Sequence, residues 1–406
     1  MGFSEKQRAV LAFPFTGKTA LICDGAVRTG KTSVMSLSFI RWAMDCFDRQ
    51  SFAICGKTVA SAERNIITPL LGVGYLKEHF TLSFSRSRHL LTVQRGSRTN
   101  YFYIFGGRDE SSFSLIQGIT LAGVFLDEVA LMPRSFVEQA MARCSVEGSK
   151  FWFSCNPEGP THWFYQEWIL KAGEKDAMHL HFVMQDNPGL SETIRKRYES
   201  LYTGVFYRRY ILGEWCVAEG LVYDFGEENI TDEIPEIGEY YISVDYGTLN
   251  PFSAGLWSWD GKQAVRIREY YHNGRAGRQL TDEEYYEALE ELAGDLPIRS
   301  VIVDPSAASF ITTIRKHGRF RVRQANNEVL DGIRVTAAFL KSGTVKIHRS
   351  CKASITEFGL YRWDTDANAD KPIKENDHAM DEIRYFCYTI LRMKAGKNEG
   401  YKPLWM

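Results

Sequence analysis

The run Gly25-Ala26-Val27-Arg28-Thr29-Gly30-Lys31-Thr32 has the G-x-x-x-x-G-K-[ST] spacing of a loop that cradles phosphates. Glycine at positions 25 and 30 lets the backbone bend until successive N–H groups point at phosphate oxygens. A helix starting near Lys31 adds the positive end of its dipole. The Lys31 ammonium then reaches the β- and γ-phosphates, and the Thr32 hydroxyl holds a magnesium ion. Arg28, Thr29 and Ser33 lie in or directly after the loop and complete the candidate nucleotide-binding set. A second constellation follows at 121–128, where an apolar run ends in Asp127-Glu128. Asp127 is suited to bind magnesium through its water shell, and Glu128 to orient and deprotonate an attacking water. ATP with magnesium is therefore the expected ligand of the first half. Many strands end in acidic pairs; the place of this one, downstream of a phosphate loop, ties the two together.

A third stretch, KFWFSCNP at 150–157, is an apolar strand ending in small polar residues. Ser154 and Asn156 stand where strand-ordered ATPases with an added catalytic glutamate sense the γ-phosphate. A plain strand-to-turn transition before Pro157 accounts for them equally well. Phosphoryl transfer also calls for an arginine to meet developing charge. Arg28, Arg108, Arg134 and Arg143 are the candidates, and the sequence does not choose among them or say whether one acts from a neighbouring subunit.

The second half suggests different chemistry. Asp245 lies near the end of an apolar run at 240–247, and Asp304 ends another at 298–304. Asp377 and Asp381 lie in 376–393, where Met380, Ile383, Cys387 and Ile390 form an apolar stripe at helical spacing. The two acids, four apart, share a different face of that helix. Asp245, Asp304 and Asp381, at two strand ends and on a facing helix, can hold two magnesium or manganese ions about 4 Å apart. Such a pair activates water and steadies the leaving oxygen of a phosphodiester. Hard oxygen ligands suit these ions better than zinc. His378 reads either as a general base or outer group beside the cluster, or as a solvated helix histidine. Arg315, Lys316, Arg319, Arg321 and Arg323 make a basic strip that tracks DNA phosphates or is a solvated charged face.

The elements that must carry these residues are legible as an α/β chain. The first half reads as a strand before the phosphate loop, a helix at 32–44, a strand at 51–56 and a helix at 60–70. Alternation at 89–105 is more antiparallel in character, and strands follow at 121–126 and 150–153. That is a P-loop NTPase domain of the extra-strand class with an additional catalytic glutamate. A helical run at 191–202 precedes Phe206-Tyr207-Arg208-Arg209-Tyr210, an aromatic and basic cluster. It suits an ATPase lid, a DNA-facing surface or a packing helix. An acidic, proline-containing stretch at 226–239 marks the composition boundary.

Beyond it come strands at 240–247, 253–259 and 263–271, the last two joined across Asp260-Gly261. A helix at 281–292 follows, with a Thr281/Glu284 capping box and Gly294 past its end, and then the strand at 298–304. Three antiparallel strands, a helix and a returning strand give a ribonuclease-H-like nuclease domain. The expected layout is an ATPase core at 1–180, a lid or linker at 181–220, the nuclease domain at 221–393 and a tail at 394–406.

Composition excludes several classes. Hydrophobic content of 44% and charged content of 24% are those of a globular protein with its own cores. Lys and Arg total 49 against 50 Asp and Glu, so any nucleic-acid contact must come from a local patch. The eight cysteines form no C-x-x-C pair, which argues for a reducing compartment and against a zinc ribbon, and His348 with Cys351 lacks companion ligands. No apolar run approaches the ~20 residues of a membrane span, so a cytosolic protein without a membrane partner is expected.

A phosphate loop at 25–32, VFLDE at 124–128, SCNP at 154–157, GEWCVAEGLVYDF at 213–225, VDYG at 244–247, VDPSA at 303–307 and the DHAMDEIRY helix together resemble the large terminase subunit of tailed bacteriophages. The likeness spans nearly the whole chain. It implies an ATP-driven motor that threads double-stranded DNA into a procapsid, and an endonuclease that cuts the concatemer. By that resemblance Lys31, Thr32, Asp127 and Glu128 run ATP hydrolysis, 154–157 couple it to movement, and Gln7 reads the adenine edge as in motors with a Q motif. Asp245, Asp304 and Asp381 are then the nuclease ligands, with Asp377 and His378 beside them. The implied partners are the portal protein, the small terminase subunit and further copies in a ring on the portal; a monomer in free solution is compatible with this. The implied place is the bacterial host cytoplasm, at the procapsid rather than in the mature virion. One departure is that many relatives carry the loop arginine a residue earlier, where Val27 stands. Two rival readings are a host helicase-nuclease, which would need further helicase motifs, and a docking scaffold with vestigial sites, against which the intact Lys31, Glu128 and aspartates argue.

Overall fold

The computed structural model describes residues 2–235, 237–248, 250–274, 278–365, 367 and 370–395. The expected tail lies outside these residues from position 396 onward. The chain folds as two units, Met1–Arg197 with Tyr207–Val217, and Tyr198–Phe206 with Ala218–Met406.

The first unit opens with α1 (Glu5–Ala12), started by a capping box between Ser4 and Gln7. Its sheet comprises β1 (Ala20–Gly25), β2 (Ser51–Gly56), β3 (Thr81–Ser85), β4 (Leu90–Arg95), β5 (Arg98–Gly106), β6 (Gly123–Asp127), β7 (Lys150–Ser154) and β8 (Ala177–Phe182). The order is β3-β4-β5-β2-β6-β7-β1-β8. From β5 to β8 every pairing is parallel, whereas β3, β4 and β5 pair antiparallel. Parallel strands are covered on both faces, which is why β1, β2 and β6 are mostly apolar and buried along nearly their whole length. The helix after the loop, α2 (Lys31–Cys46), brings Phe39 and Trp42 onto Trp152 of β7 at 5.0 and 4.8 Å between ring centroids. Phe153 points the other way, to Phe164 and Trp168. Gly123 makes room for this core, since a Cβ there would stand 2.7 Å from the Trp42 ring. β7 lies between β1, which feeds the phosphate loop, and β6, which ends in Asp127. That insertion is the extra strand of the expected class. The helix expected at 60–70 runs from Val59 to Leu70, but with a wider π turn at Glu63–Ile67.

The second unit has β9 (Ile230–Thr231), β10 (Glu239–Asp245), β11 (Phe252–Trp259), β12 (Ala264–His272), β13 (Ile298–Val303), β14 (Val322–Gln324) and β15 (Val345–His348). Their order is β14-β13-β10-β11-β12-β15-β9, with β10, β11 and β12 antiparallel and β13 returning parallel to β10. This is the ribonuclease-H-like order. The hairpin closes as its sequence dictates: the Asp260 carboxylate accepts from the backbone N–H of Lys262 and Gln263, both at 2.7 Å, and Gly261 takes φ +99°. Thr281 and Glu284 form the capping box of the helix Asp282–Ala293. The acidic helix runs His378–Phe386 and continues through a π turn at Cys387–Leu391 to Ala395, burying Met380, Ile383, Cys387 and Ile390.

Beneath this helix Arg266 and Glu382, both wholly buried, are joined by Nη2–Oε2 and Nε–Oε2 bonds of 2.7 and 2.9 Å. Trp257 Nε1 and Ser243 also bond Glu382, and Gly255 supplies the space, because a Cβ there would overlap both side chains. Glu382→Ala is expected to destabilise the second unit by about 3 kcal/mol, since it leaves the buried Arg266 guanidinium with Glu269, 2.8 Å from Nη1, as its remaining acid and orphans Trp257 Nε1 and Ser243. The combined Arg266→Met, Glu382→Leu variant should lose much less. Urea unfolding measures both, and a single variant costing under about 1 kcal/mol, the ceiling of an exposed pair, would contradict this account.

Candidate functional sites

In the first unit the loop geometry gathers the nucleotide-binding candidates. Gly25 and Gly30 adopt φ +119° and +81°, values that suit glycine, and Arg28 between them is left-handed at +59°. The Lys31 ammonium folds back onto the loop, donating to the carbonyls of Gly25 (3.0 Å) and Ala26 (2.6 Å) and to Asn156 Oδ1 (3.3 Å). Burial pulls its pKa below the ordinary lysine range. Thr32 Oγ1 donates to Asp127 Oδ1 at 2.8 Å, which brings the two candidate magnesium-binding side chains together. Burial raises the Asp127 pKa against the hydrogen bonds of Thr32 and Ser154 and the charge of Lys31. β6 and β7 pair Asp127 with Ser154, so the end of β7 touches the acid through Ser154 and the lysine through Asn156. Both side chains therefore face the loop, more than a mere turn before Pro157 requires.

Glu128 follows with φ +59° and ψ +40°, left-handed for a residue with a side chain. Strain of this kind costs about 1–3 kcal/mol and gathers at functional positions. Gln7 is buried with Nε2 beside the loop, 3.0 Å from where a Gly30 Cβ would stand, while its Oε1 accepts from Ser4 N–H. Thr29 is buried in the loop near Lys31, and Ser33 is exposed on the first turn of α2. Among the arginines, Arg28 lies in the loop itself and its carbonyl accepts from Asn187. Arg134 pairs with Glu138 at 2.6 Å, and Lys57 bonds the carbonyl of Arg108. Arg143 has a buried Nε without a hydrogen-bond partner among the described residues.

In the second unit β10 and β13 run parallel with Val244 beside Val303, so Asp245 and Asp304 follow at adjacent strand ends. The helix His378–Phe386 packs on β10 and β11 and gives each aspartate one donor. His378 Nδ1 lies 2.9 Å from Asp245 Oδ2, Arg384 Nη2 lies 2.9 Å from Asp381 Oδ1, and Tyr385 donates to Asp304 Oδ2 at 2.9 Å. Lys374 approaches Asp377 and Asp381, both at 3.7 Å. His378 is thus a cluster member rather than a solvated histidine.

The carboxylates do not form a closed shell: among the described residues no three His, Cys, Asp or Glu side chains stand in a metal-ligating arrangement. Asp245 and Asp381 each turn one oxygen to a donor of the helix, and both oxygens of Asp304 are engaged, Oδ1 by Ser306 N–H at 2.7 Å and Oδ2 by Tyr385. The donor chemistry nevertheless fits magnesium or manganese. Burial, with the charges of Asp381 and Asp377, pushes the Asp245 carboxyl up to about 6 against the pull of His378. A cation restores the ionised form of such a group.

A pH test follows from that raised value. The Asp245 contribution to stability is full below the ordinary carboxylate range and is lost as pH rises through about 6. His378 is also raised, through Asp245 and Asp377 against burial, and its contribution too is lost as pH rises. In chelator, exchange protection of the helix His378–Phe386, corrected for intrinsic rates, is expected to fall from mildly acidic to neutral pH. Manganese should reverse the fall, and protection that rises with pH would count against the cluster.

Arg384 and Tyr385 were not singled out from the sequence, although they stand three and four residues past Asp381 and share its face. Glu357, which accepts from the Ala379 N–H and from Tyr271, has no signal in the sequence at all. The basic strip is partly neutralised: Lys316 and His317 meet Glu283, and Arg319 meets Glu290. Phe206 packs on Trp363 and Arg209 is buried, so the aromatic and basic cluster at 206–210 is not one DNA-facing surface.

A family described as terminase large subunit, T4likevirus-type, N-terminal, matches residues 22–230. Among curated proteins nothing matches. The chain is similar to the large terminase of a thermophilic bacteriophage in one crystal form at 48% identity and a TM-score of 0.90, covering 96% of this chain and 100% of that one. The same phage protein in complex with ADP and with ATP-gamma-S is 48% and 47% identical, each with a TM-score of 0.86 and the same coverage. With 96% of its length matched at this identity, the chain belongs to the family of bacteriophage large terminase subunits.

Proposed function

We propose that the first unit binds and hydrolyses ATP to drive double-stranded DNA into a procapsid, and that the second unit cuts concatemeric DNA with divalent metal ions. The observation that carries the motor reading is the Thr32–Asp127 contact of 2.8 Å beside a left-handed Glu128. The complexes of the thermophilic-phage relative with ADP and ATP-gamma-S support ATP as the ligand. In this reading the N–H groups of 25–32 cradle the phosphates, with Gln7 at the adenine. Lys31 leaves its carbonyl partners for the β- and γ-phosphates. Thr32 and Asp127 hold magnesium, which supplies charge neutralisation when bound. Glu128 orients the water and takes its proton. Ser154 and Asn156 sense the γ-phosphate, and Arg28, Arg108, Arg134 and Arg143 are the arginines open to meet developing charge. Residues 181–220 act as lid and linker.

In the nuclease, Asp245, Asp304 and Asp381 would hold two magnesium or manganese ions, whose chemistry is activation of water and stabilisation of the leaving oxygen. His378, Arg384 and Tyr385 orient those carboxylates, and Asp377 adds negative charge beside them. The partners in this reading are DNA, the portal protein, the small terminase subunit and further copies of the chain in a ring. No helix among the described residues is long and apolar enough to cross a membrane, which is in keeping with work at the procapsid in the bacterial cytoplasm. Manganese soaked into crystals should give anomalous density among Asp245, Asp304 and Asp381. Density confined to other positions would overturn the nuclease assignment.

A further inference from the structure

Outside both candidate sites, one buried charge has no part in the chemistry described so far. Asp24 directly precedes Gly25, and its side chain is 1% exposed. Its Oδ1 faces two histidines of the edge strand β8, His179 Nε2 at 2.8 Å and His181 Nδ1 at 3.1 Å. Its Oδ2 accepts from Trp215 Nε1 at 2.7 Å. Burial alone would raise this carboxyl, but the histidines override it and hold it well below the ordinary carboxylate range. One oxygen thus answers to the sheet, and the other to Tyr207–Val217, the stretch that leaves the first unit for the second.

That stretch is fastened along the phosphate loop. The Tyr210 carbonyl accepts from Val27 N–H at 2.8 Å. Gly213, at φ +79°, passes so close that a Cβ there would stand 3.0 Å from Ala26 N and from the His181 ring. Trp215 stacks on Tyr165 with centroids 4.8 Å apart. Arg209 donates to the Cys216 carbonyl and reaches Glu158 at 3.5 Å, two residues past Asn156. On the other side of the loop, Ala26 N–H donates to the Phe182 carbonyl of β8 at 2.9 Å, and a Cβ on Gly25 would overlap that carbonyl. The first loop residues are therefore clamped between β8 and Tyr207–Val217, with Asp24 joining the two clamps.

We propose that Asp24 is a positioning residue for nucleotide binding: through Trp215 it docks Tyr207–Val217 on the loop, and the loop holds its phosphate-binding shape only while that contact is made. This rests on the ATP-site reading above. A loop whose N–H groups are fixed in advance binds phosphate without the cost of ordering them, and undocking restores that cost.

Trp215→Phe tests this, because it removes the N–H donor and keeps a ring on Tyr165. A cavity of about 740 Å³ lined by His179, His181, Arg208, Glu214 and Trp215 lets water reach the orphaned Oδ2, so the variant should fold. With ADP as probe, the dissociation constant is expected to rise about tenfold, the effect of losing one hydrogen bond to a charged group. KM for ATP should rise in step while kcat changes little. Amide exchange should quicken at Ala26 and Val27 as well as in Tyr207–Val217. Asp24→Asn, the second variant, should weaken ADP binding at least as much. If Trp215→Phe quickens exchange only in Tyr207–Val217 and leaves ADP affinity intact while Lys31→Ala weakens it, Trp215 merely packs that stretch and the inference fails. If Lys31→Ala also leaves ADP affinity unchanged, the ATP-site reading falls and takes the inference with it.

Discussion

Lys31→Ala is expected to lower ATP turnover by about a thousandfold or more, the scale lost when a preorganised donor is removed from developing oxyanion charge. The ammonium is buried among loop carbonyls, and Asn156, which it bonds, carries no charge to take its place. The fold should survive, because alanine suits the first turn of a helix and the freed carbonyls of Gly25 and Ala26 can turn to water. ADP affinity should fall with turnover, and metal-dependent plasmid nicking should continue at its original rate. Phosphate release and nicking assays on one preparation make the comparison. Turnover within tenfold of the parent would remove Lys31 from the mechanism.

Asp245→Asn should do the reverse, lowering DNA cleavage on the order of a thousandfold, about 4 kcal/mol at tenfold per 1.36 kcal/mol, with ATPase untouched. The substitution is nearly isosteric, so β10 and its pairing with β13 should persist. It removes a negative charge from a position where burial and neighbouring Asp381 and Asp377 already disfavour it. In chelator at neutral pH the variant should accordingly be no less stable than the parent, which separates lost metal binding from lost folding. Manganese should stabilise the parent and not the variant. If one substitution extinguished both activities in a folded protein, the idea of two independent sites would be untenable.

Much of this was legible because it is local. The Thr281/Glu284 box, the Asp260-Gly261 turn and the stripe Met380, Ile383, Cys387 and Ile390 are set by short-range hydrogen bonding and helical spacing, and each stands as its sequence predicts. The phosphate loop and the apolar strand before Asp127 are local in the same sense. What escaped depends on the order of strands. Asp24 and Trp215 are 191 residues apart in the chain, and nothing at either position advertises the other. Arg266 with Glu382, and Glu357 with Ala379, meet only after the second sheet has assembled. The sequence left Arg209 open between a lid, a DNA-facing surface and a packing helix, because a basic residue among aromatics has one composition whether it faces phosphate or packs inside, and it is buried. The partial neutralisation of the basic strip was not legible for a related reason: the acids that meet Lys316 and Arg319, Glu283 and Glu290, belong to another helix. The aspartates and His378 stand out in the sequence as candidate ligands, whereas Arg384 and Tyr385, which meet Asp381 and Asp304 from the same helix, do not, because they are not themselves acidic.

The chain passes from one unit to the other three times, after Arg197, Phe206 and Val217. No single scissile peptide bond can therefore divide it into two intact halves. A fragment ending at 197 keeps the phosphate loop but forfeits Trp215 and the Tyr210 carbonyl that holds Val27. A fragment ending at 217 retains those but carries Phe206 and Tyr202 away from Trp363 and Lys341, against which they rest. Dissecting the protein cleanly would require excising Tyr198–Phe206 and bridging the gap, and a motor half truncated at 197 would underreport the nucleotide affinity of the whole.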